Sequence, residues 1–342
     1  MHDVILHETD GSAGGREGAR IWGQNAMKGV RILGDRRAEL TTIPRPEAGI
    51  GWAVLRSRMS AVCGSDLHIY RQRRSGGGSL EPDRRPRGGG VVEEVGPGVE
   101  DLAPGTRVVV FRHFGCDRCR YCRTGEPMFC PDRRTLGNHV DGADAKFVTA
   151  PASICLPLPD TLSDEVAALL ACNLGTAFSG IRKLLLDGGA VVVAVDPVKS
   201  RRDLAESLGA VRTVDPTASD TATTIGEITH GQGAEASIDC SGNPRAQSDA
   251  LAVLRPKGKM LVLAATAPWT IDPSQLWRKG LTLFGSWVYD LGQYERVVQL
   301  AQVRADSLER IVTRRFAGAE AEQAFEAADQ ASEGKVVIDW TR

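Results

Sequence analysis

The feature that most constrains this chain is a group of four cysteines within fifteen residues. Two, two and seven residues separate Cys116, Cys119, Cys122 and Cys130. Thiolates at this spacing can surround one zinc ion at about 2.3 Å, and four protein ligands leave no position open for chemistry. Nearby arginines would offset the negative charge of the thiolates: Arg112, Arg118, Arg120 and Arg123. The sequence therefore predicts a structural zinc site in a lobe spanning residues 112–131.

Free thiols and an iron–sulfur cluster are the alternative interpretations of the cysteine group. A proline follows the last cysteine, as in bacterial iron–sulfur proteins, but the last spacing there is three residues and here it is seven. Residues 1–26 lack the apolar stretch of a secretory signal. A reducing, cytoplasmic setting is therefore predicted, and thiolate clusters in such a setting usually bind metal.

Length and charge argue against several classes of protein. The 342 residues suffice for two domains with separate cores, and the formal net charge is -1. This near-neutral charge and the lack of a basic recognition helix disfavour a nucleic-acid-binding zinc protein. No apolar run is long enough to predict a membrane span. Regular structure is expected from Met27 onward, with residues 1–26 a disordered tail or the product of an upstream start site.

The pattern of the sequence changes near Leu162. Before it, short apolar runs alternate with turn signals such as Gly96–Gly98, which is typical of a β-barrel or sandwich. After it, Ser163 is a predicted helix N-cap, and the apolar run Ala190–Asp196 is typical of a strand buried on both faces. Strands and helices then alternate, which predicts a parallel α/β sheet. The predicted elements are helices 200–208 and 246–254 and strands 236–239, 259–264 and 335–339.

The stretch Arg71–Gly90 carries six arginines among many glycines and is interpreted as a solvated loop, since it cannot build a core. Phosphate binding is its alternative interpretation.

Several segments resemble, in the same order, segments of the zinc-containing alcohol dehydrogenases of the medium-chain dehydrogenase/reductase family. They are the four-cysteine lobe, Cys63–His68, Val92–Val99, Ala194–Pro197, Asp239–Asn243 and Gly285–Tyr289. The resemblance implies an α/β fold with a barrel-like (GroES-like) catalytic domain over residues 27–175. It also implies a Rossmann-type dinucleotide-binding domain with a doubly wound parallel sheet over residues 176–303, and a segment, 304–342, that returns to the first domain.

Members of that family oxidise primary or secondary alcohols, or polyols, by passing hydride to a nicotinamide cofactor, and many are dimers or tetramers. The reaction needs a zinc ion with an open position, which binds the substrate oxygen and lowers its pKa. It also needs a dinucleotide beside the reacting carbon. The resemblance therefore implies a small-molecule alcohol or polyol substrate, NAD or NADP, zinc and a homo-oligomer, with no nucleic-acid or membrane partner.

Cys63 and Cys172 match two ligands of the family's catalytic zinc. A further ligand in the family is a histidine within a Gly-His-Glu triplet, whose place is taken here by Arg85-Pro86-Arg87. Zinc normally needs three protein ligands and a water molecule to catalyse, and arginines repel a cation. The two cysteines are therefore interpreted as the remnant of a catalytic site, unless the fold brings His113 or His139 to them.

Four more residues match positions around the family's reaction centre. By resemblance, Ser65 and His68 belong to a relay that carries the alcohol proton to solvent. Asp66 matches a residue that supports the site, and Thr176 matches one near the nicotinamide. Taken singly, a cysteine such as Cys63 is more often a small core residue and a histidine such as His68 a surface residue, so these assignments depend on the order of the segments.

The dinucleotide-binding domain departs further from the family pattern. Such a domain begins with a strand, a Gly-x-Gly-x-x-Gly turn and a helix, whose glycines let the backbone approach the pyrophosphate. Thr176 lies only twenty positions before Asp196, so roughly 25 residues, or one strand–turn–helix unit, are missing by comparison. Gly231–Ala236 contains similarly spaced glycines, but this segment precedes a predicted strand instead of following one.

The run ending at Asp196 is interpreted as the second strand of that domain. Asp196 would then bind the adenosine ribose hydroxyls, which favours NAD over NADP, and its alternative role is a helix N-cap. By resemblance, Arg201 lies near the same ribose and Lys335 faces the pyrophosphate. Arg201 and Arg202 together leave NADP possible.

These observations predict a zinc-type alcohol or polyol dehydrogenase with weak turnover and a truncated Rossmann-type sheet. The alternative is a catalytically silent relative that retains only the structural zinc. Removing a central strand deprives its neighbours of ladder hydrogen bonds. It also exposes their apolar area, which costs about 25 cal/mol per Å². The remaining strands are therefore expected either to close up or to leave the domain loose.

Overall fold

The structure is a computed structural model that describes residues 26–73, 88–140, 142, 144–171, 173–185, 190–332 and 334–342. The elements up to residue 171 are β1 (Ala26–Gly34), β2 (Arg37–Pro44), β3 (Trp52–Ala61), α1 (Gly64–Arg71), β4 (Gly88–Val95), β5 (Arg107–Val110), β6 (His113–Phe114), α2 (Arg120–Arg123), β7 (Arg134–Thr135), β8 (Phe147–Pro151), β9 (Cys155–Pro157) and α3 (Asp164–Leu170).

The later elements are α4 (Asn173–Leu184), β10 (Val193–Val195), α5 (Lys199–Ser207), β11 (Arg212–Val214), α6 (Thr221–Ile228), β12 (Ala234–Asp239), α7 (Pro244–Ala252), β13 (Leu254–Val262), α8 (Pro273–Lys279), β14 (Thr282–Gly285), α9 (Tyr294–Val303), α10 (Ala305–Glu309), β15 (Val312–Ala317), α11 (Ala321–Asp329) and β16 (Lys335–Asp339). Among the described residues, no helix combines the length and apolar character that crossing a membrane requires.

The largest sheet has seven strands in the order β15-β16-β3-β4-β5-β9, with β8 also paired to β3. Its central strand β3 carries three fully buried residues, Ala53, Val54 and Leu55. The C-terminal strand β16 runs antiparallel to β3, with Ile338 opposite Ser60. The last strand of the chain therefore lies in the same sheet as the first part of the chain, and the predicted barrel-like fold is confirmed.

Helix α3 packs on β3 and β4 and begins as predicted. The side chain of Ser163 accepts a hydrogen bond from the backbone N–H of Val166 at 3.4 Å. Two acidic residues, Asp164 and Glu165, occupy the first turn, where the helix dipole favours negative charge. The five following residues, Val166–Leu170, are all buried, so the helix is fixed by its cap and by the core together.

Asp164 also joins α3 to the barrel-like sheet. Its carboxylate accepts hydrogen bonds from Arg58 at 2.9 Å and Arg107 at 3.0 Å, and its side chain is 20% exposed. We expect Asp164→Ala to lower the free energy of unfolding by about 2 kcal/mol. Asp160 is the matched control, because it lies 3.8 Å from the same Arg107 but is 94% exposed. Asp160→Ala should cost less than about 0.5 kcal/mol, and equal losses in urea denaturation would contradict this assignment.

The second part of the chain forms two separate parallel sheets. Strands β10 and β11 pair with each other, whereas β12, β13 and β14 form the other sheet. Ile238 on β12 lies opposite Leu261 on β13. Within the described residues, no strand joins β10 to β12, so the remaining strands have not closed up. The predicted fold class, a barrel-like domain with a truncated Rossmann-type sheet, is confirmed.

The prediction of a buried strand over Ala190–Asp196 is wrong in length and burial. Only Val193–Val195 is a strand, and the preceding Val191 and Val192 are 67% and 52% exposed. A parallel strand is buried when strands flank it on both sides and helices cover both faces. Since β10 has only β11 beside it among the described residues, its apolar side chains remain at the surface.

The predicted solvated loop over Arg71–Gly90 is wrong at both ends, and residues 74–87 lie outside the described residues. Arg71 ends α1, where its guanidinium binds the carboxylate and the carbonyl of Asp329. Gly88–Gly90 begin β4, where a Cβ on Gly90 would lie 2.7 Å from the carbonyl oxygen of Arg56. These glycines are required by close strand packing and not by flexibility.

The other predicted elements are confirmed with small changes at their ends. The helices expected at 200–208 and 246–254 are α5 and α7, and the strands expected at 236–239 and 259–264 are β12 and β13. Strand β16 has the predicted bounds, and the first strand of the described residues begins at Ala26, one residue before the predicted Met27. Alternating apolar runs and local caps are sufficient to specify these elements.

Candidate metal and dinucleotide sites

The four cysteines of the predicted zinc lobe converge on one point. Their sulfur atoms all lie within 4.8 Å of one another. The distance is 3.6 Å between Cys119 and Cys122 and 3.7 Å between Cys116 and Cys130. A tetrahedron of sulfurs around zinc at 2.3 Å has edges of about 3.8 Å. The cysteines are therefore placed as one zinc ion requires, whereas an iron–sulfur cluster would spread its ligands over several iron atoms.

Short local elements bring these sulfurs together. Cys119 is the N-cap of α2, and its sulfur accepts a hydrogen bond from the backbone N–H of Cys122 at 3.5 Å. A single 3-10 turn, Pro127–Phe129, ends at Cys130. Gly115 allows the chain to pass close to the sulfurs, because a Cβ there would lie 2.9 Å from the Cβ of Cys130 and closer still to the sulfur of Cys122.

The surroundings of the sulfurs shift their pKa values in opposite directions. Backbone N–H groups of Arg118 and Cys119 lower the pKa of Cys116 to about 6. Burial raises the pKa of Cys122 to about 12 and also raises the pKa of Cys130. Four thiolates therefore need a cation among them at neutral pH. Zinc fits this donor set, and its binding releases the protons that the buried thiols hold.

The residues that resemble the family's reaction centre lie at the start of α1. Cys63 precedes the helix, and its backbone N–H donates to Oδ2 of the buried Asp66 at 2.8 Å. The hydroxyl of Ser65 donates to the other oxygen of Asp66 at 3.5 Å. Asp66 thus fixes the backbone that carries Cys63. His68 is exposed on the same helix, and Thr176 is half-buried in the first turn of α4.

Cys172, the second predicted ligand of the catalytic zinc, lies outside the described residues. So do residues 85–87, which stand where the family has its histidine ligand. His113 and His139 both contact Thr135, just after the zinc lobe: Nδ1 of His113 lies 3.0 Å from the Thr135 hydroxyl, and Nδ1 of His139 accepts from the Thr135 N–H at 3.1 Å. Among the described residues, only the four cysteines of the lobe form a group of three or more metal-binding side chains. Neither histidine therefore completes such a group with Cys63 there.

Comparison with known proteins identifies the family. Residues 49–160 match the alcohol dehydrogenase GroES-like domain, and residues 182–303 match the zinc-binding dehydrogenase domain. An L-threonine 3-dehydrogenase from Anaeromyxobacter dehalogenans strain 2CP-1 is 32% identical, over 87% of this chain and 94% of the relative. The chain belongs to the zinc-binding medium-chain dehydrogenases. Another L-threonine 3-dehydrogenase, from a Marinomonas species, is 31% identical over 91% of this chain and 98% of its own length.

Solved structures share the fold of this zinc-binding dehydrogenase. A putative zinc-binding dehydrogenase from Sinorhizobium meliloti 1021, bound to NADP, superposes with a TM-score of 0.81 at 25% identity, over 92% of this chain and 100% of its own. An alcohol dehydrogenase from Thermus sp. ATN1 superposes with a TM-score of 0.80 at 24% identity, covering 92% of this chain and 99% of the other.

The predicted dinucleotide contacts of this zinc-binding dehydrogenase begin at the end of β10. The Asp196 carboxylate accepts from the backbone N–H of Val198 at 2.8 Å and lies 3.8 Å from Arg201. The Arg202 side chain instead makes its contacts within the protein. It donates to the Asp196 carbonyl at 2.7 Å and pairs with Asp215 at 3.1 Å. Val198, and not Asp196, is the N-cap of α5. Lys335 begins β16, in another sheet.

One contact of the zinc lobe was not predicted from the sequence. Trp287, in the segment after β14, packs edge-on against His113 with ring centres 4.9 Å apart, and the guanidinium of Arg133 lies 4.9 Å above it. Tyr289 stacks edge-on against Phe111 at 5.2 Å. The feature of the sequence that could have indicated these contacts is the density of aromatic residues in Gly285–Tyr289. These contacts join the zinc lobe to the second half of the chain.

Proposed function

We propose that this zinc-binding dehydrogenase is an alcohol or polyol dehydrogenase, preferring NAD(H), whose turnover is weak because the first strand–turn–helix of its dinucleotide-binding domain is absent. The observation that carries the proposal is the separation of β10–β11 from β12–β14. In a complete doubly wound sheet one strand lies between these two groups of strands, and the turn after it holds the pyrophosphate. Domain limits of 27–175, 176–303 and 304–342 fit this proposal.

The lengths of the matches support the missing unit. The match with the Anaeromyxobacter relative runs over 326 residues but takes in 87% of this chain. Since 87% of 342 residues is about 298, about 28 positions of the match have no counterpart here. That number is close to one strand, one glycine turn and one helix, the unit that the short distance from Thr176 to Asp196 indicates is missing.

The residues present fit the adenosine end of a dinucleotide better than its pyrophosphate. Asp196 directly follows the parallel strand β10, with Arg201 beside it, which suits ribose recognition. A glycine turn between a first strand and a helix has no counterpart among the described residues. Without that turn, backbone N–H groups do not converge on a pyrophosphate. We therefore expect weak dinucleotide binding and poor placement of the nicotinamide.

The reaction centre we propose uses Cys63 and Cys172 as the remaining zinc ligands, with Ser65 and His68 as the proton relay supported by Asp66. L-Threonine is the first substrate to test, because the relatives named above are L-threonine 3-dehydrogenases and its side chain is a secondary alcohol. We also propose a cytoplasmic homo-oligomer. The alternative function, a silent relative with only structural zinc, is favoured by the arginines at 85–87, which offer no metal ligand.

Zinc content and NADH binding, measured on one purified sample, test this proposal. We expect about one zinc ion per chain and no saturable NADH binding in the micromolar range. NAD-dependent oxidation of L-threonine should be at least roughly a thousandfold slower than that of the Anaeromyxobacter enzyme prepared in parallel, because the reactants are poorly positioned. Two zinc ions per chain together with micromolar NADH binding would refute the proposal.

A Cys63→Ser variant separates the two candidate functions. If the chain is a weak enzyme, its slow L-threonine oxidation disappears in this variant while the single structural zinc is retained. If the chain is silent, the wild-type rate equals the rate without protein, and Cys63→Ser changes nothing. Cys240→Ser is the matched control, because Cys240 is an exposed thiol outside the predicted catalytic residues.

A further inference from the structure

A cleft of about 390 Å³ lies between the connection from β2 to β3 and the turn that follows β4. Pockets that bind small molecules begin at about this volume. Two prolines, Pro46 and Pro97, line the cleft together with three charged side chains, Arg45, Glu47 and Glu94. None of the residues proposed to hold zinc, the dinucleotide or the reacting alcohol lines it, so the cleft is a separate candidate site.

The backbone around the cleft is held in place by the fold itself. The N–H of Gly51 donates to the carbonyl of Pro97 at 2.9 Å, and the N–H of Gly96 donates to the carbonyl of Trp52 at 2.8 Å. A Cβ on Gly96 would overlap the carbonyl oxygen of Gly49, so the two segments pass as closely as a glycine allows. The segments that carry the charged side chains are therefore fixed without a ligand.

The three charged side chains of the cleft make no hydrogen bond with the residues that the structure describes. Nη2 of Arg45 lies 3.9 Å from Glu94, which is too long for a hydrogen bond, and these two side chains are 33% and 41% exposed. The neighbour of Glu94 on β4 differs, because Glu93 accepts a hydrogen bond from Arg56 at 3.1 Å. The cleft thus offers a guanidinium and two carboxylates to a ligand.

The guanidinium of Arg45 is already oriented. Its central carbon lies 4.7 Å from the centre of the Phe147 ring on β8, and Phe147 packs against a small core cluster of Met27, Ile43 and Ala145. Stacking on an aromatic ring restricts the guanidinium, so less freedom is lost when its planar N–H groups bind a carboxylate. Arg45 is therefore suited to binding an anionic group.

We propose that this cleft binds a free α-amino acid with a cationic side chain. Arg45 pairs with the α-carboxylate and Glu94 with the α-ammonium group, since these two groups of an amino acid are neighbours as the two side chains are here. The exposed Glu47 pairs with the side-chain cation. One positive and two negative charges in the cleft complement a ligand of opposite balance, such as lysine or arginine. Pro46 and Pro97 cover its methylene chain.

Titration calorimetry of the full chain with L-lysine, in the absence of a dinucleotide, tests the proposal. We expect saturable binding with a dissociation constant of about 0.1 mM. Three analogues each lack one of the recognised groups: ε-aminocaproate lacks the α-ammonium group, cadaverine lacks the carboxylate and norleucine lacks the side-chain cation. Each should bind about tenfold more weakly than L-lysine, because one charged pair is lost.

Two substitutions locate the binding in the cleft. Arg45→Gln and Glu94→Gln each remove one charge, and each should raise the dissociation constant for L-lysine about tenfold. The matched control is Glu93→Gln, the same change at the next residue of β4, whose carboxylate pairs with Arg56 outside the cleft. This control should bind L-lysine as the wild type does, and unchanged melting temperatures show that all three variants are folded.

Three outcomes would overturn the inference. They are a wild-type chain that does not bind L-lysine, norleucine binding as tightly as L-lysine, and Glu93→Gln weakening the binding as much as Glu94→Gln does. The titrations involve neither the zinc content nor NADH binding, so their failure is distinguishable from failure of the proposed function.

Discussion

Replacing Cys122 by serine is expected to lower the zinc content of the purified protein from about one ion per chain to almost none. The four sulfurs lie within 4.8 Å of one another, so each supplies one corner of the tetrahedron and none is redundant. Partial burial raises the pKa of Cys122 to about 12, and a thiol with so high a pKa becomes a thiolate at neutral pH only when a metal takes its proton. A serine hydroxyl does not supply that ligand.

The same substitution should reduce stability, since metal binding in a structural site is coupled to folding of the segment that holds the metal. Here the segment includes α2 and the contact of Trp287 with His113. We expect the melting temperature to fall by about 10 °C or more, and wild-type protein treated with a strong chelator to show the same fall. Elemental analysis and calorimetry measure the two effects.

Cys240→Ser provides the control for both measurements. Cys240 is an exposed cysteine after β12, outside the four-cysteine group. The zinc content and melting temperature of the Cys240→Ser variant should therefore match those of the wild type. If Cys122→Ser kept its zinc, or if both variants lost it equally, the assignment of the lobe as the structural zinc site would be wrong.

The sequence was sufficient for features that depend on near neighbours. Cysteine spacing predicted the zinc lobe because all four ligands lie on one short segment. The start of α3 followed from Ser163 and the acids after it, because a helix cap is a contact over three residues. The bounds of β16 followed from a single apolar run. In each case local chemistry and the fold favour the same structure.

Features that depend on distant parts of the chain were not predictable in this way. The apolar run at Val191–Val195 has the composition of a buried strand, but burial is decided by a neighbouring strand that the chain lacks among its described residues. The packing of Trp287 on His113 joins residues 174 positions apart, and no local pattern specifies it. The resemblance to known dehydrogenases indicated Asp66 as a residue that supports the site, but its hydrogen bond with the backbone of Cys63 is visible only in the structure.

A large effect on stability from a single methyl group is expected at Gly175. This glycine lies in the first turn of α4 directly against the ring of Tyr289, and a Cβ there would overlap three ring atoms. The ring has no room to retreat, because Tyr289 is buried and stacked on Phe111. We expect Gly175→Ala to lower the free energy of unfolding by about 3 kcal/mol, as overpacking of a rigid core does.

Gly180→Ala is the matched control, because it makes the same change in the same helix. The closest atom to its added Cβ is the end of the Leu261 side chain at 2.7 Å, which can move by rotation about its own bonds. Alanine also favours a helix over glycine by about 1 kcal/mol. The net change for Gly180→Ala in urea denaturation should therefore be within about 1 kcal/mol of zero.

Shortening the ring partner tests the cause of the loss at Gly175. If the clash with Tyr289 is responsible, Gly175→Ala should cost much less in a Tyr289→Leu background than in the wild type, since the two positions then couple. Equal costs in the two backgrounds would mean that the backbone, and not the ring, excludes a side chain at this position. Because Thr176 follows Gly175 directly, this packing also sets where the residue predicted to lie near the nicotinamide is held.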